Sequence, residues 1–337
     1  TDVGSYQPNP WGFFDMHGNV QEWIAELLGA YPVGPRTDPI GPTFGLGHNN
    51  GWAREWRVIR GGSWLVPARP SHLRGACTPG PHYNEAGFRV SLQQTRVPQP
   101  KMPTPGRPWT APLANVEMLW CPPGTFTMGS PQGEKARGTD ETQRQVTLTK
   151  GFHLGKYEVA QAQWKKIMGK NPSYFKGVGR PVDSVSWNDA VAFCVKLTEH
   201  EREAGRLPAG YAYQLPTEAQ WEYACRAGTT TVFAFGDSLS SKQANFKGTI
   251  PYGGAAVGPN HGKPVAVGSY QPNAWGFHDM HGNLWEWAAD RHGTYPATPV
   301  TDPKGSATGS RRVFRGGPWV DGGHHQRSAQ RSGSDPA

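Results

Sequence analysis

The sequence predicts an α+β protein of low regular secondary structure. The first observation behind this is compositional: 337 residues carry 44 glycines, 32 prolines and 14 tryptophans, but only 18 % are charged. Such a chain builds short strands and turns around large aromatic side chains rather than long regular elements. The second is that helix-type spacing is confined to three stretches, following Gly155, Ser186 and Thr217. The third is a repeat. Val3–Trp23, VGSYQPNPWGFFDMHGNVQEW, recurs as Val267–Trp287, VGSYQPNAWGFHDMHGNLWEW, with 17 of 21 positions identical. Two copies of so long a match signal a duplicated structural unit.

A second anchor follows each copy, Arg57-Val58-Ile59-Arg60-Gly61-Gly62-Ser63-Trp64 and Arg312-Val313-Phe314-Arg315-Gly316-Gly317-Pro318-Trp319. The offset falls from 264 to 255 between anchors, so the first copy has a loop nine residues longer. Residues 93–112, QQTRVPQPKMPTPGRPWTAP, carry no periodicity and read as a semi-rigid linker. They separate Thr1–Leu92 from Leu113–Ala337. In the second part, Met118-Leu119-Trp120 and Thr125–Met128 alternate around Pro122-Pro123-Gly124 and predict a hairpin, to which Gln145–Thr149 adds a strand. A helix is expected over Ala160–Met168, ended by Gly169 and Asn171-Pro172. Ser186 caps a second, Trp187–His200, with Ala190, Val191, Phe193, Cys194 and Leu197 on one face. Thr217 caps a third, with Trp221, Ala224 and Cys225 inward; Glu218 and Glu222 lie one turn apart, and Glu218 suits the positive end of the helix dipole. Beyond Gly228, short strands and Gly/Pro loops dominate.

Several function classes drop out. No apolar run approaches the roughly 18 residues of a spanning helix. The net charge of +8 is modest and its basic residues are scattered, so no nucleic-acid partner is expected. Cys77, Cys121, Cys194 and Cys225 lie far apart with no CxxC. A Cys194–Cys225 disulfide and buried free thiols are the two readings, and free thiols are preferred because free Cys packs as a small hydrophobe. No Ser-His-Asp spacing, phosphate-cradling loop or nucleotide fingerprint is present. The chain begins at Thr1, which reads as a processed or trimmed terminus.

In order, Pro123–Ser130, Pro181–Trp187, Leu215–Arg226, Asp279–Trp287 and Arg315–Trp319 resemble the sulfatase-modifying-factor family, that of the formylglycine-generating enzyme. The resemblance covers Leu113–Ala337 nearly completely and Thr1–Leu92 as the second half of a further domain. It implies a variant of the C-type lectin fold with a calcium-supported core. The family's closing Gly-Phe-Arg stands at Gly87-Phe88-Arg89, while the second copy reaches Ala337 before it. An excerpt of a longer tandem protein is the expectation preferred over a permuted domain.

In formylglycine-generating enzymes a cysteine pair after the Gly-Gly-Ser-Trp element binds copper, for which soft thiolates are suited. The first of those positions is Val66 in one copy and Asp321 in the other; the second falls near Ser71 and Gln326. Copper is therefore not expected, and the missing pair points away from catalysis. Asn19 with Glu22, and Asn283 with Glu286, match the family's Gly-Asn-x-x-Glu-Trp calcium element, and Asn245 resembles part of a second calcium site. Oxygen ligands of this kind suit a hard cation. His17 and His281 read as satisfied turn or core histidines. Asp321, His324, His325, Gln326 and Arg327 form a polar loop that reads as a solvated, ligand-presenting surface, with an iron site there not favoured. The expected function is a non-catalytic calcium-supported scaffold displaying loop 319–331 to a protein or glycan partner. The alternatives are an oxidoreductase of the same family, formylglycine-generating or mononuclear iron, and a structural subunit of a larger assembly. Expected calcium use sets the expected location outside the cytoplasm.

Overall fold

The computed structural model describes residues 2–17, 19–27, 57–60, 75–77, 86–88 and 103–337. The positions matched to cysteines in the first copy, Val66 and Ser71, lie outside the described residues, as do Trp64, Arg89 and linker residues 93–102. The chain falls into two compact units, Thr1–Thr95 and Arg96–Ala337.

In the first unit, β1 (Gln21–Leu27), β2 (Arg57–Arg60), β3 (Gly75–Cys77) and β4 (Ala86–Phe88) form one sheet in the order β3-β2-β1-β4. β1 and β2 are antiparallel, while β4 runs parallel to β1 and pairs Gly87 with Glu22. Val58 and Ile59 are buried.

Among its described residues the second unit holds three three-stranded sheets, three α-helices and a 3-10 turn at Gly323–Gln326. β5 (Trp109–Ala111), β6 (Val116–Cys121) and β9 (Phe152–Gly155) form the first sheet; β7 (Gly124–Met128), β8 (Arg144–Leu148) and β11 (Val300–Thr301) the second. The expected hairpin is thus corrected: β6 and β7 belong to different sheets. Pro122 and Pro123 supply no N–H to a ladder, so the chain leaves one sheet there and enters another. β8 does pair with β7, from Gly124↔Leu148 to Met128↔Arg144. The expected linker is also shorter at its end, because Trp109–Ala111 pairs with β6 and Ala111 is fully buried. β10 (Glu286–Arg291), β12 (Arg312–Arg315) and β13 (Arg331–Ser334) complete the third sheet. Its register repeats that of the first unit: Glu286↔Arg315 and Trp287↔Phe314 match Glu22↔Arg60 and Trp23↔Ile59, with an irregularity at the same place in both.

Helix α1 (Gln161–Met168) stops at Gly169, whose left-handed backbone (φ 80°) returns an N–H to the Lys165 carbonyl. α2 (Trp187–Glu203) starts at Ser186, whose Oγ accepts from Asp189 N–H at 3.1 Å. α3 (Glu218–Arg226) starts at Thr217, whose Oγ1 accepts from Gln220 N–H at 3.2 Å. Both caps are as expected, and each stabilises its helix by about 1 kcal/mol. α1 and α2 pack through Trp164 and Phe193, stacked at 5.3 Å. α3 is the most enclosed element: Trp221, Ala224 and Cys225 are fully buried against Met128, Val146, Phe277 and Met280. Cys121, Cys194 and Cys225 are free thiols. Burial pushes the Cys225 thiol up to about 12, so it stays protonated.

Candidate functional site

Helix α3 carries two carboxylates into the interior. Glu218 accepts from Arg315 Nη1 at 2.9 Å and from Arg331 at 2.8 and 2.7 Å. Glu222 accepts from Arg226 Nε and Gly129 N–H, both at 2.9 Å, and from Arg315 Nη2. Burial raises Glu218, but the adjacent Arg331 and Arg315 overcome it and hold the carboxyl below its usual range. Arg315, fully buried, also donates to the Ser328 and Ala329 carbonyls and lies over the Trp221 ring. Glu218 is therefore a partner for two arginines in the core; the helix-dipole role read from sequence is incidental to it. Asp290 accepts from Glu218 N–H at 2.8 Å, and burial together with the Glu218 charge raises it to about 7.

The same frame fixes residues 319–331, and here the sequence expectation is corrected. Gln326, Arg327, Ser328 and Ala329 are buried, so this stretch is not a solvated loop. Arg327 forms a two-bond pair with Glu141 at 2.8 Å for each bond, donates to Glu134 at 2.6 Å, and caps the Ala136 carbonyl. Gln326 donates to the Pro318 and Gly322 carbonyls inside the turn. Neither is free to meet a ligand, because each is held by protein groups that would otherwise be left buried and unpaired. Gly317 fits only without a side chain: its φ is 77°, and a Cβ would stand 2.2 Å from Gln326 Oε1. Val320 is 53 % exposed, and Trp319, Asp321, His324 and His325 are half-buried. His324 and His325 lie 4.2 Å apart, ring to ring. Burial, then His325 and Arg327, lowers His324, so the ring is neutral at pH 7. Trp319 meets Phe175 edge-on at 5.6 Å, and Phe175 meets Tyr174, which is 79 % exposed. Among the described residues no three His, Cys, Asp or Glu side chains are grouped to hold a metal, so Asp321, His324 and His325 do not converge as a ligand set.

The residues implicated in calcium binding divide. Asn283 and Asn245 come together: Asn245 Nδ2 donates to Asn283 Oδ1 at 3.1 Å and to the Lys263 carbonyl at 3.0 Å. Asn283 Oδ1 also accepts from Val265 N–H, and its Nδ2 donates to Glu158 at 2.7 Å. Among the described residues Glu286 makes no hydrogen bond to either asparagine but accepts from Trp221 Nε1 at 3.1 Å, and burial raises it to about 7. Glu158, which sequence reasoning missed, is raised well above the carboxylate range by burial and by Asp279 and Glu286. Asn245 Oδ1 is buried without a hydrogen-bond partner. The orphaned Asn245 amide oxygen, on a side chain linked through Asn283 to Glu158, is a donor of the type a hard cation takes. In the first unit Asn19 and Glu22 are half-buried, and Asn19 shares the left-handed backbone of Asn283 (φ 61° and 66°).

His281 is the satisfied core histidine the sequence suggested. Nδ1 donates to the Gln326 carbonyl at 2.7 Å, Nε2 accepts from Ala234 N–H at 3.1 Å, and burial lowers it to about 4. A cavity of about 10 Å³ beside it, lined by Phe235, Tyr270, Asp279 and Met280, has room for one water and not for a substrate.

Comparison with known proteins agrees with this frame. Residues 1–94 and 106–337 match the sulfatase-modifying factor enzyme 1-like domain. The "Chaperone protein LppX" of Paenibacillus barcinonensis is 30 % identical over 220 residues, spanning 55 % of this chain and 75 % of that protein. The mouse "Formylglycine-generating enzyme" is 27 % identical over 267 residues, 62 % of this chain and 68 % of the enzyme. The bovine "Inactive C-alpha-formylglycine-generating enzyme 2" is 29 % identical over 206 residues, 59 % of this chain and 60 % of that protein. Among solved structures, PvdO from Pseudomonas aeruginosa superposes with a TM-score of 0.58 at 28 % identity, over 70 % of this chain and 95 % of PvdO. Treponema denticola variable protein 1 superposes at 0.55 and 23 % identity, over 68 % of this chain and 93 % of its own, a likeness of fold alone. Among the described residues no helix is long and apolar enough to cross a membrane. The α+β arrangement is the formylglycine-generating-enzyme fold, and the chain belongs to the sulfatase-modifying factor enzyme 1-like domain family.

Proposed function

We propose that Arg96–Ala337 is a non-catalytic recognition module that binds another protein. One observation carries the reading: where the family resemblance puts a thiolate pair, the chain has Asp321 and Gln326, and the Gln326 carboxamide is fastened inside a turn. Cys225, which reaches the Gln326 carbonyl only through His281, is buried and protonated. Relatives named as a chaperone and as an inactive formylglycine-generating enzyme support the same reading. The binding face is narrower than residues 319–331 as a whole. It comprises the exposed Tyr174 and Val320, the half-buried Phe175 and Trp319 in edge contact behind Tyr174, and the half-buried His324–His325 pair of the same loop, since exposed apolar side chains backed by aromatics mark interaction sites. Calcium is the structural ion proposed for Asn245, Glu158 and Asn283; bound there, it would supply positive charge to a buried acidic cluster. A location outside the cytoplasm follows from that ion. The pairing of Thr1–Leu92 and Leu113–Ala337 as tandem members of the family is part of the same proposal.

The test is direct. The chain is loaded with Cu(I) and incubated in air with a cysteine-containing sulfatase-motif peptide, and the peptide is weighed by mass spectrometry. No formylglycine is expected, and conversion would end the non-catalytic reading. A photo-crosslinking residue at Tyr174 or Val320 is expected to give one shared protein adduct in the native host extract, absent from a control at Val195 on α2. Labelling equal to the control would remove the face from consideration.

A further inference from the structure

The third sheet carries a row of polar side chains that the matching sheet of the first unit lacks. Arg291 on β10 stands opposite Arg312 on β12, and Arg312 stands opposite Ser334 on β13. Residues directly opposite one another in antiparallel strands share a face, so Arg291, Arg312 and Ser334 rise side by side at a spacing of about 5 Å. The same register in the first unit sets Leu27 opposite Arg57, and Arg57 opposite Cys77. One arginine there becomes two here, with a serine in place of a cysteine.

Like charges directly opposite one another repel. Among the described residues no carboxylate forms an ion pair with Arg291 or Arg312. Asp290, the acid next to Arg291, is buried and accepts from Glu218 N–H on the core side of the strand. Burial, then the Arg291 charge, lowers Arg312, while a guanidinium keeps its charge at physiological pH. Exposed Arg311, immediately before β12, adds a third positive charge.

Both guanidinium groups of the row are held in place. Arg312 lies over the Trp187 ring at 3.8 Å and donates Nη1 to the Ala289 carbonyl at 3.0 Å. Trp187 is fixed in turn by an Nε1 bond to the Ala288 carbonyl at 2.8 Å. Arg291 donates Nη1 to the Ala307 carbonyl at 3.0 Å. A guanidinium has five N–H donors, so one carbonyl orients each group and leaves it further donors. Arg291 and Ser334 are exposed and Arg312 is half-buried, which keeps the row open to a ligand.

We propose that Arg291, Arg312 and Ser334 bind phosphate as its dianion, either free or as a monoester on a larger molecule. Two forks and a hydroxyl supply donors to three oxygens of a tetrahedral group, and two positive charges match a phosphomonoester near neutral pH. A phosphodiester carries a single charge, so the row discriminates against nucleic-acid backbones. A carboxylate offers one charge and two oxygens and is held more weakly. None of these residues belongs to the face proposed for the protein partner.

Equilibrium dialysis of the full chain against radiolabelled inorganic phosphate, at fixed ionic strength, tests the site. Saturable binding at one site per chain is expected, with dimethyl phosphate and acetate competing at least about tenfold less well. Arg291→Leu places at this exposed position the residue that the first unit carries at the same register. It is expected to weaken phosphate about tenfold or more, the loss of one charge-assisted contact. Lys166→Leu, on the exposed side of α1, is expected to bind phosphate like the parent. Phenyl phosphate competing as well as phosphate itself assigns a monoester as the source, and its failure to compete assigns the free ion. Absence of saturable binding overturns the proposal, as does equal competition by dimethyl phosphate or acetate. So does an Arg291→Leu chain that binds like the parent, or a Lys166→Leu chain weakened as much as Arg291→Leu, which would reduce the effect to net charge.

Discussion

Replacing Glu222 by Gln tests whether the charges around α3 hold the second unit together. The side chain is fully buried, and Gln keeps its volume while removing one negative charge. In the native cluster Glu222 pairs with Arg226 and Arg315, and Glu218 with Arg315 and Arg331; in the variant Glu218 keeps its two arginines and Arg226 loses its carboxylate. The amide nitrogen of Gln would also face the Gly129 N–H or an arginine N–H, donor against donor. Breaking a buried pair on one side costs about 3–5 kcal/mol. For a domain of this size, about 4 kcal/mol lowers Tm by roughly 8–16 °C. The assay is thermal unfolding followed by near-UV circular dichroism, where the tryptophans of this unit report tertiary packing. A double-mutant cycle with Arg315→Met is expected to show coupling of more than about 1 kcal/mol. A loss below about 1 kcal/mol in Glu222→Gln, typical of an exposed pair, would refute the reasoning.

Four further outcomes follow from the geometry of the second unit. Asp290 is raised to about 7 in the folded protein from an ordinary 3.8, so its contribution is fully present below about pH 3.8 and is lost as pH rises through 7. Asp290→Asn is therefore expected to be more stable than the parent at pH 8, by on the order of 2–3 kcal/mol, and closer to it at pH 5; parallel pH–Tm curves would contradict this. His281 works in the opposite sense, its stabilising neutral form being lost as pH falls from 6.5 through about 4. Gly317→Ala is expected to cost more than about 2 kcal/mol in chemical denaturation, combining left-handed strain with the Gln326 clash; a neutral effect would mean the turn can move. Adding calcium at about 100 times its dissociation constant is expected to stabilise the second unit by about 2.7 kcal/mol. Asn245→Ala is expected to abolish that gain, and an equal gain in the variant would place the ion elsewhere.

Local chemistry was legible in the sequence, and distant pairing was not. Ser186 and Thr217 announce their helices because a cap acts on N–H groups three residues away. Gly169 ends α1 for a similarly local reason. His281 is buried while its counterpart His17, in the same patterned turn, is exposed, so the turn pattern is legible in sequence but its burial depends on distant packing. Residues 319–331 misled because their composition is polar. What buries them is the pairing of Arg327 with Glu134 and Glu141, which lie 193 and 186 positions away in the sequence. Glu218 misled similarly, since a helix N-terminus explains an acid before any distant arginine is known. The Pro122-Pro123 step held the opposite lesson. The signal against a hairpin was present in two missing N–H donors, and strand alternation outweighed it in the reading.

The buried pairs also share a polarity that bears on how the second unit comes to fold. The acids, Glu134, Glu141, Glu218 and Glu222, are all made before residue 223, whereas Arg315, Arg327 and Arg331 are made after residue 314. Synthesis therefore exposes the carboxylates first and supplies most of their counter-charges nearly a hundred residues later. Until those arginines leave the ribosome, the acidic pocket around α3 is better solvated than closed. Contacts this distant in sequence make closure slow, and the nascent chain is expected to keep its tryptophans accessible until β12 and β13 arrive.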